Sequence, residues 1–218
     1  MKLLLTSQGI QEEIRTTFLS LLSKPPKDIL VSFITTEAYG EDKHPTWLNV
    51  YKDQLRECGI FNIEDLDLKD KTEDYLNTNL FNKDIIFVNG GNSFYLLDQV
   101  KKSGFDKIIR SFKSINKIYL GVSAGTYIAC PTIEQATWNH QDKNNYEIKD
   151  LSALNLIPFI ITAHYIDSYK SIIKKAATIT EYPIVALNDH QAILVENNRY
   201  KLVGDNAKNF FNNFRENW

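Results

Sequence analysis

The apolar run Lys117-Ile118-Tyr119-Leu120 leads into Gly121-Val122-Ser123-Ala124-Gly125 and then into Thr126-Tyr127-Ile128-Ala129. A strand, a tight Gly-x-Ser-x-Gly turn and a helix-compatible continuation are the pattern of a nucleophile elbow. In such a turn the central residue takes a strained backbone conformation, and glycines two positions either side relieve the crowding of strand against helix. Ser123 then projects its hydroxyl from the carboxyl edge of a sheet, above the N-terminus of the next helix. Backbone N–H groups left unpaired there can hold a developing negative charge.

The rest of the chain supplies strands and helices to surround this turn. Residues 3–5, 29–35, 60–68 and 84–88 read as strands, the last of the fully buried kind that parallel sheets use. Between them, residues 10–22 place Ile10, Ile14, Phe18, Leu21 and Leu22 on one helical face. Residues 45–58 repeat the pattern with Trp47, Leu48, Tyr51 and Leu55 before Gly59 stops the helix, and residues 69–79 make a short charged helix. Helical residues after Phe94 and over 105–115 lead to the elbow strand. Strand followed by helix, repeated five times, predicts an α/β fold: a doubly wound, mostly parallel sheet flanked by helices, one domain over residues 1–218. Beyond the elbow, residues 131–150 form a long polar loop and residues 156–162 a strand. A helix is expected over 168–177, strands over 184–187, 192–196 and 200–203 with Asn197-Asn198 as a hairpin turn, and a closing helix over 206–218.

A serine nucleophile needs a base, and the chain has four histidines: His44, His140, His164 and His190. His164 closes an apolar strand, so it emerges on the same sheet edge as Ser123. His44 and His140 lie on loops, and His190 occupies a turn where it can line a pocket. The loop Asn89-Gly90-Gly91-Asn92 also follows a strand. The N–H of Gly91 with that of Ala124 can form an oxyanion hole. Asn92 is either a pocket residue or simply the N-cap of the next helix. Asp142, Glu134 and Asp167 all qualify as the acid that fixes the tautomer of a histidine base.

Charge and cysteine content narrow the setting. Net charge is -2, with no basic surplus for nucleic acid or an anionic membrane, and no stretch approaches the ~20 apolar residues of a membrane span. The two cysteines, Cys58 and Cys130, are too few for a disulfide framework or a cysteine-based zinc site and fit a reducing compartment. A cytoplasmic protein is expected.

Four motifs in order, Val88-Asn89-Gly90-Gly91-Asn92-Ser93-Phe94, Gly121-Val122-Ser123-Ala124-Gly125, Ala129-Cys130-Pro131-Thr132-Ile133 and Ala163-His164-Tyr165, resemble the serine peptidase family of dipeptidase E and cyanophycinase. The likeness extends weakly to Asn188-Asp189-His190-Gln191-Ala192, where that family tends to have Asp-Gly-Gln-Ala. The resemblance implies a class I glutamine-amidotransferase-like, flavodoxin-like fold. It also implies Ser123 as nucleophile, His164 as base, Gly91 and Ala124 as oxyanion donors, a small peptide as substrate, and neither metal nor cofactor. Counting back from the histidine as in dipeptidase E reaches Asp142 as the acid. Where dipeptidase E carries an arginine after its histidine, this chain has Lys170, a point charge without the bidentate fork, so an aspartyl preference does not transfer. The expected form is a monomer or homodimer. The alternatives are a catalytically silent module that binds a small molecule or peptide, and an amidotransferase-like hydrolase, which would need cysteine at position 123.

Overall fold

A computed structural model describes residues 1–36, 48–112, 116–138 and 142–218. Strand and helix alternate through β1 (Lys2–Thr6), α1 (Glu12–Leu21), β2 (Leu30–Ile34), α2 (Leu48–Glu57), β3 (Asn62–Leu66), α3 (Glu73–Phe81), β4 (Ile85–Val88), α4 (Ser93–Ser103), α5 (Phe105–Ser111) and β5 (Ile118–Val122). A single-turn helix, α6 (Ala124–Tyr127), follows β5. The chain continues through β6 (Ile160–Thr162), α7 (Lys170–Ala176), β7 (Ile184–Ala186), β8 (Gln191–Glu196), β9 (Arg199–Gly204) and β10 (Asn209–Phe211).

Seven strands make one sheet in the order β3-β2-β4-β5-β1-β8-β9. The first five are mutually parallel, whereas β8 and β9 are antiparallel additions. Side chains alternate across a strand, and here the alternation separates two cores. Leu4, Ile85, Phe87, Ile118, Leu120 and Val122 pack on one face with Ile14 and Phe18 of α1 and Leu55 of α2. Leu3, Leu5, Ile86, Val88 and Tyr119 face the other way, onto Leu76 and Leu80 of α3, Leu96 and Leu97 of α4, and Ile108 and Ile109 of α5. Helices therefore cover both faces of a mostly parallel sheet, as expected. A second sheet, β10-β7-β6, stands beside it, with β6 and β7 parallel and β10 antiparallel.

Two expectations change. The strand over 156–162 is only Ile160–Thr162, because Pro158 precedes it and offers no N–H to a ladder. No closing helix forms over 206–218. Phe210 and Phe214 pack with Phe159 and Tyr200, while Phe211 faces the core of the second sheet, an alternation that suits the short strand β10. Asn212 and Asn213 then sit at φ 47° and 61°, left-handed positions that asparagine tolerates and a helix does not. The hairpin turn at Asn197-Asn198 forms as expected, with both residues at positive φ. His44, His140 and the start of the 45–58 helix lie outside the described residues.

Lys117, just ahead of β5, is almost wholly buried, yet its ammonium is satisfied. It donates to the carbonyls of Leu80 (3.1 Å), Phe81 (2.6 Å) and Lys83 (2.5 Å), at and beyond the C-terminal end of α3, where the Leu80 carbonyl also accepts the backbone N–H groups of Asn82 and Lys83. One cation thus ties α3 to the elbow strand. Lys117→Met should fill the space but take the ammonium donor from the Phe81 and Lys83 carbonyls, lowering unfolding free energy by about 2–3 kcal/mol with an unchanged m-value in a urea titration.

Candidate active site

The two elbow glycines are required by contact. A Cβ on Gly125 would lie 2.0 Å from the Val88 carbonyl oxygen, and one on Gly121 would lie 2.7 Å from the Gly125 carbonyl oxygen. Both distances are far inside van der Waals contact, so α6 reaches β4 and β5 only without side chains there. The buried Tyr119 hydroxyl donates to the Gly125 carbonyl at 2.7 Å and holds the helix down. Ser123 is left at φ 48°, ψ −108°, and its side chain makes no capping bond to α6. Its hydroxyl is thereby kept for another partner.

The neighbours of β5 in the sheet supply the walls. From β4, the loop at Gly90-Gly91 runs beside the serine: a Cβ on Gly90 would lie 3.1 Å from Ser123 Cβ. Gly91 sits at φ 136°, which only glycine adopts readily. From β1, Thr6 braces the elbow through three bonds and takes a fourth from the loop that follows it. Its carbonyl accepts from Ser123 N–H (3.2 Å) and the Thr126 hydroxyl (2.8 Å), and its own hydroxyl donates to the Gly121 carbonyl (2.9 Å) and accepts from Gly9 N–H (3.0 Å).

His164 arrives from the second sheet, directly after β6 and Ala163. That strand is hung from the elbow segment by two backbone donors, Ala163 N–H to the Tyr127 hydroxyl (3.1 Å) and Ile161 N–H to Cys130 Sγ (3.3 Å). His164 itself has φ 57°, and its Nε2 lies 3.1 Å from Ser123 Oγ. Its Nδ1 lies 2.6 Å from Asp189 Oδ1. Asp189 belongs to the turn between β7 and β8. The bond from His164, then its charge and the Ser7 hydroxyl, outweigh partial burial and hold the Asp189 carboxyl below its ordinary value. An ionised carboxylate only accepts, so the imidazole proton resides on Nδ1 and the Nε2 lone pair faces the serine hydroxyl.

The acid in contact with His164 is thus not among the three anticipated from sequence. Asp142 instead accepts the Ser93 N–H at 2.9 Å through Oδ2. It joins Asn92 in capping α4, where Asn92 Oδ1 accepts from Phe94 N–H and Tyr95 N–H and Asn92 Nδ2 donates to the Lys143 carbonyl. The asparagine is therefore an N-cap and nearly fully buried, and the count back from the histidine reaches a residue that docks on α4 and makes no contact with His164. Asp167 accepts from the Tyr165 hydroxyl at 3.4 Å, and Glu134 opens a 3-10 turn beside Trp138. His190 points away to Glu13, 3.1 Å from its Nδ1. Asp189 carried a legible signal, since it stands in the Asn-Asp-His-Gln-Ala turn already noted and precedes an apolar strand. Cys130, the other nucleophile type nearby, is fully buried, and burial pushes its thiol up to about 12. It is a packed thiol and not a reactive one.

Fold and comparisons together make the chain an α/β peptidase. Residues 3–203 match the model of peptidase family S51, and the chain belongs to that family. It is 32% identical over 170 residues to Lmo0363, an uncharacterised peptidase of Listeria monocytogenes, covering 76% of this chain and 81% of that one. It is 30% identical over 187 residues to PM1590, an uncharacterised peptidase of Pasteurella multocida, covering 82% of this chain and 86% of that one. Among solved structures, a Listeria monocytogenes protein provisionally assigned as peptidase E superposes with TM-score 0.77 at 28% identity, over 92% of this chain and 96% of that one.

Burial raises the Asp142 carboxyl above its ordinary value despite the Ser93 bonds and the nearby His164. A carboxyl raised on folding contributes stability below its unfolded pKa that is lost as pH rises through the folded value. Asp142→Asn keeps an acceptor for Ser93 N–H and removes the buried charge. Its melting temperature should exceed wild type at pH 7, by an increment that shrinks as pH falls toward about 4; a constant difference across that range would contradict the assignment.

Proposed function

We propose that this S51 peptidase is a serine peptidase of the dipeptidase E type, acting on small peptides through an acyl-enzyme on Ser123. The observation that carries the reading is the continuous line from Ser123 Oγ through His164 to Asp189, 3.1 Å and 2.6 Å, at a strained turn on the carboxyl edge of the sheet. Ser123 attacks the peptide carbonyl while its proton passes to His164 Nε2. The imidazolium is stabilised by Asp189, and the N–H groups of Gly91 and Ala124 hold the oxyanion. His164 then gives the proton to the departing amine. A water, deprotonated by the same nitrogen, releases the acyl group as a free acid and restores the serine.

Asp189 takes the orienting role in place of Asp142, because a histidine nitrogen can present its lone pair to the serine only while the other nitrogen is held as a donor. The likeness to a structure assigned as peptidase E supports a short peptide as substrate. The free, buried thiols of Cys58 and Cys130 suit a reducing cytoplasm. Among the described residues no helix is long and apolar enough to cross a membrane.

A dipeptide library screened with purified protein supplies the substrate for the test. Ser123→Ala should lower kcat by about 10⁴ to 10⁶ with the fold intact, and Asp189→Asn by about 10² to 10⁴. Asp142→Asn should cost far less than Asp189→Asn. Ordinary turnover in Ser123→Ala would end the serine reading, and collapse in Asp142→Asn with activity in Asp189→Asn would return the acid to the polar loop.

A further inference from the structure

Ser7 lies at the end of β1, fully buried and one residue past the strand, and touches two members of the line from Ser123 to Asp189. Its hydroxyl donates to Asp189 Oδ1 at 2.8 Å, and its oxygen accepts the backbone N–H of His164 at 2.8 Å. Asp189 Oδ1 also receives the His164 Nδ1 proton at 2.6 Å. The bonds close into a circuit: His164 backbone N–H to Ser7, Ser7 to Asp189, and Asp189 back to the ring of the same histidine.

We infer that Ser7 is a positioning residue of the catalytic site, fixing both ends of His164 through one hydroxyl; the inference rests on the serine-peptidase reading above. Two features of the geometry require such a clamp. His164 occupies φ 57°, a backbone conformation that a histidine holds only when its surroundings over-determine it, and its N–H there needs an acceptor. Asp189 comes from an exposed turn and is half open to solvent, so its carboxylate would otherwise rotate among water molecules. A hydroxyl that accepts from the histidine backbone while donating to the carboxylate locks the angle between them. Polarity also favours the arrangement. The Ser7 donor takes one lone pair of Oδ1 and the imidazole takes another, so the shared oxygen stays ionised and aimed. Ser7 is held in its own place by β1, whose register with β5 and β8 is pinned on both sides and whose Ser7 N–H continues to the Gln191 carbonyl at 3.2 Å. The clamp is thus referred to the same strand whose Thr6 braces the nucleophile. Nucleophile and base are thus tied to consecutive residues, the last of β1 and the one after it.

The test uses the full chain and three variants. Ser7→Ala should lower kcat on the best dipeptide about 10- to 100-fold with KM within about twofold, and slow fluorophosphonate labelling of Ser123 in proportion. Ser7→Thr, which keeps the hydroxyl, should recover most of the rate. Should the alanine variant not fold, Ser7→Cys fills the site with a poor donor and carries the same expectation. The far-downfield proton resonance of His164 Nδ1–H should move in Ser7→Ala, because the acceptor oxygen loses its second donor; a purely packing role would leave it in place. Unchanged kcat in Ser7→Ala, equal losses in Ser7→Ala and Ser7→Thr, or an unmoved resonance would overturn the inference while leaving wild-type turnover standing. Failure of the wild-type protein to be labelled at Ser123 would overturn the peptidase mechanism instead, and the positioning role with it.

Discussion

The approach of α6 to β4 is the contact on which the rest of the site depends. Two backbones meet there with no room for a methyl group, and the Gly125 N–H donates to the Asn89 carbonyl at 2.9 Å across the same gap. Because α6 cannot retreat, the turn before it must be sharp, and Ser123 absorbs that sharpness in a backbone conformation costing of order 1–3 kcal/mol. The surrounding bonds, from Thr6 on one side and Tyr119 beneath, outnumber what a relaxed turn would need. Strain and restraint are therefore the same feature seen from two residues.

A second consequence is the division of labour between sheets. The large parallel sheet presents the serine and both its walls, β4 and β1, as adjacent strands ending at one edge. The small sheet presents the histidine. The two are joined at short range by Tyr127 and Cys130, side chains that leave the elbow segment and accept backbone N–H groups of β6 and its following residue. Burial drives the Tyr127 hydroxyl far above its ordinary pKa, so it stays neutral and available to accept. Neither side chain faces the gap between Ser123 and His164, yet the distance between those two residues runs through them.

Much of this arrangement was legible in the amino-acid sequence because its signals are local. The elbow announces itself between Lys117 and Ala129, since the glycine spacing, the apolar run and the helix formers are consecutive. His164 was legible for a related reason: an apolar run ending in a polar residue places that residue at a sheet edge. The contact of Asp189 with His164 was not legible in that way. Asp189 reaches His164 by a turn between strands of different sheets, 25 residues further along, and no periodicity reports which turn lies beside which strand end. Counting residues back to Asp142 assumed a loop of fixed path, whereas the loop's polar groups found orphan donors at the start of α4. Ser7 carries no local signal, because its neighbours are ordinary for a strand end. In the terminal segment, expected as a helix, the aromatic residues alternate between two cores, which is the period of a strand.

The turn that carries Asp189 is also the only passage from β7 in the small sheet to β8 in the large one, and it takes four residues, from Leu187 to His190. Its length is therefore answerable to two requirements at once. A residue gained or lost there would shift β8 against β1 by one position, turning Ile193 and Val195 from one core toward the other, and would at the same time swing the carboxylate off the imidazole. At this crossing, chemistry and architecture share a single spelling.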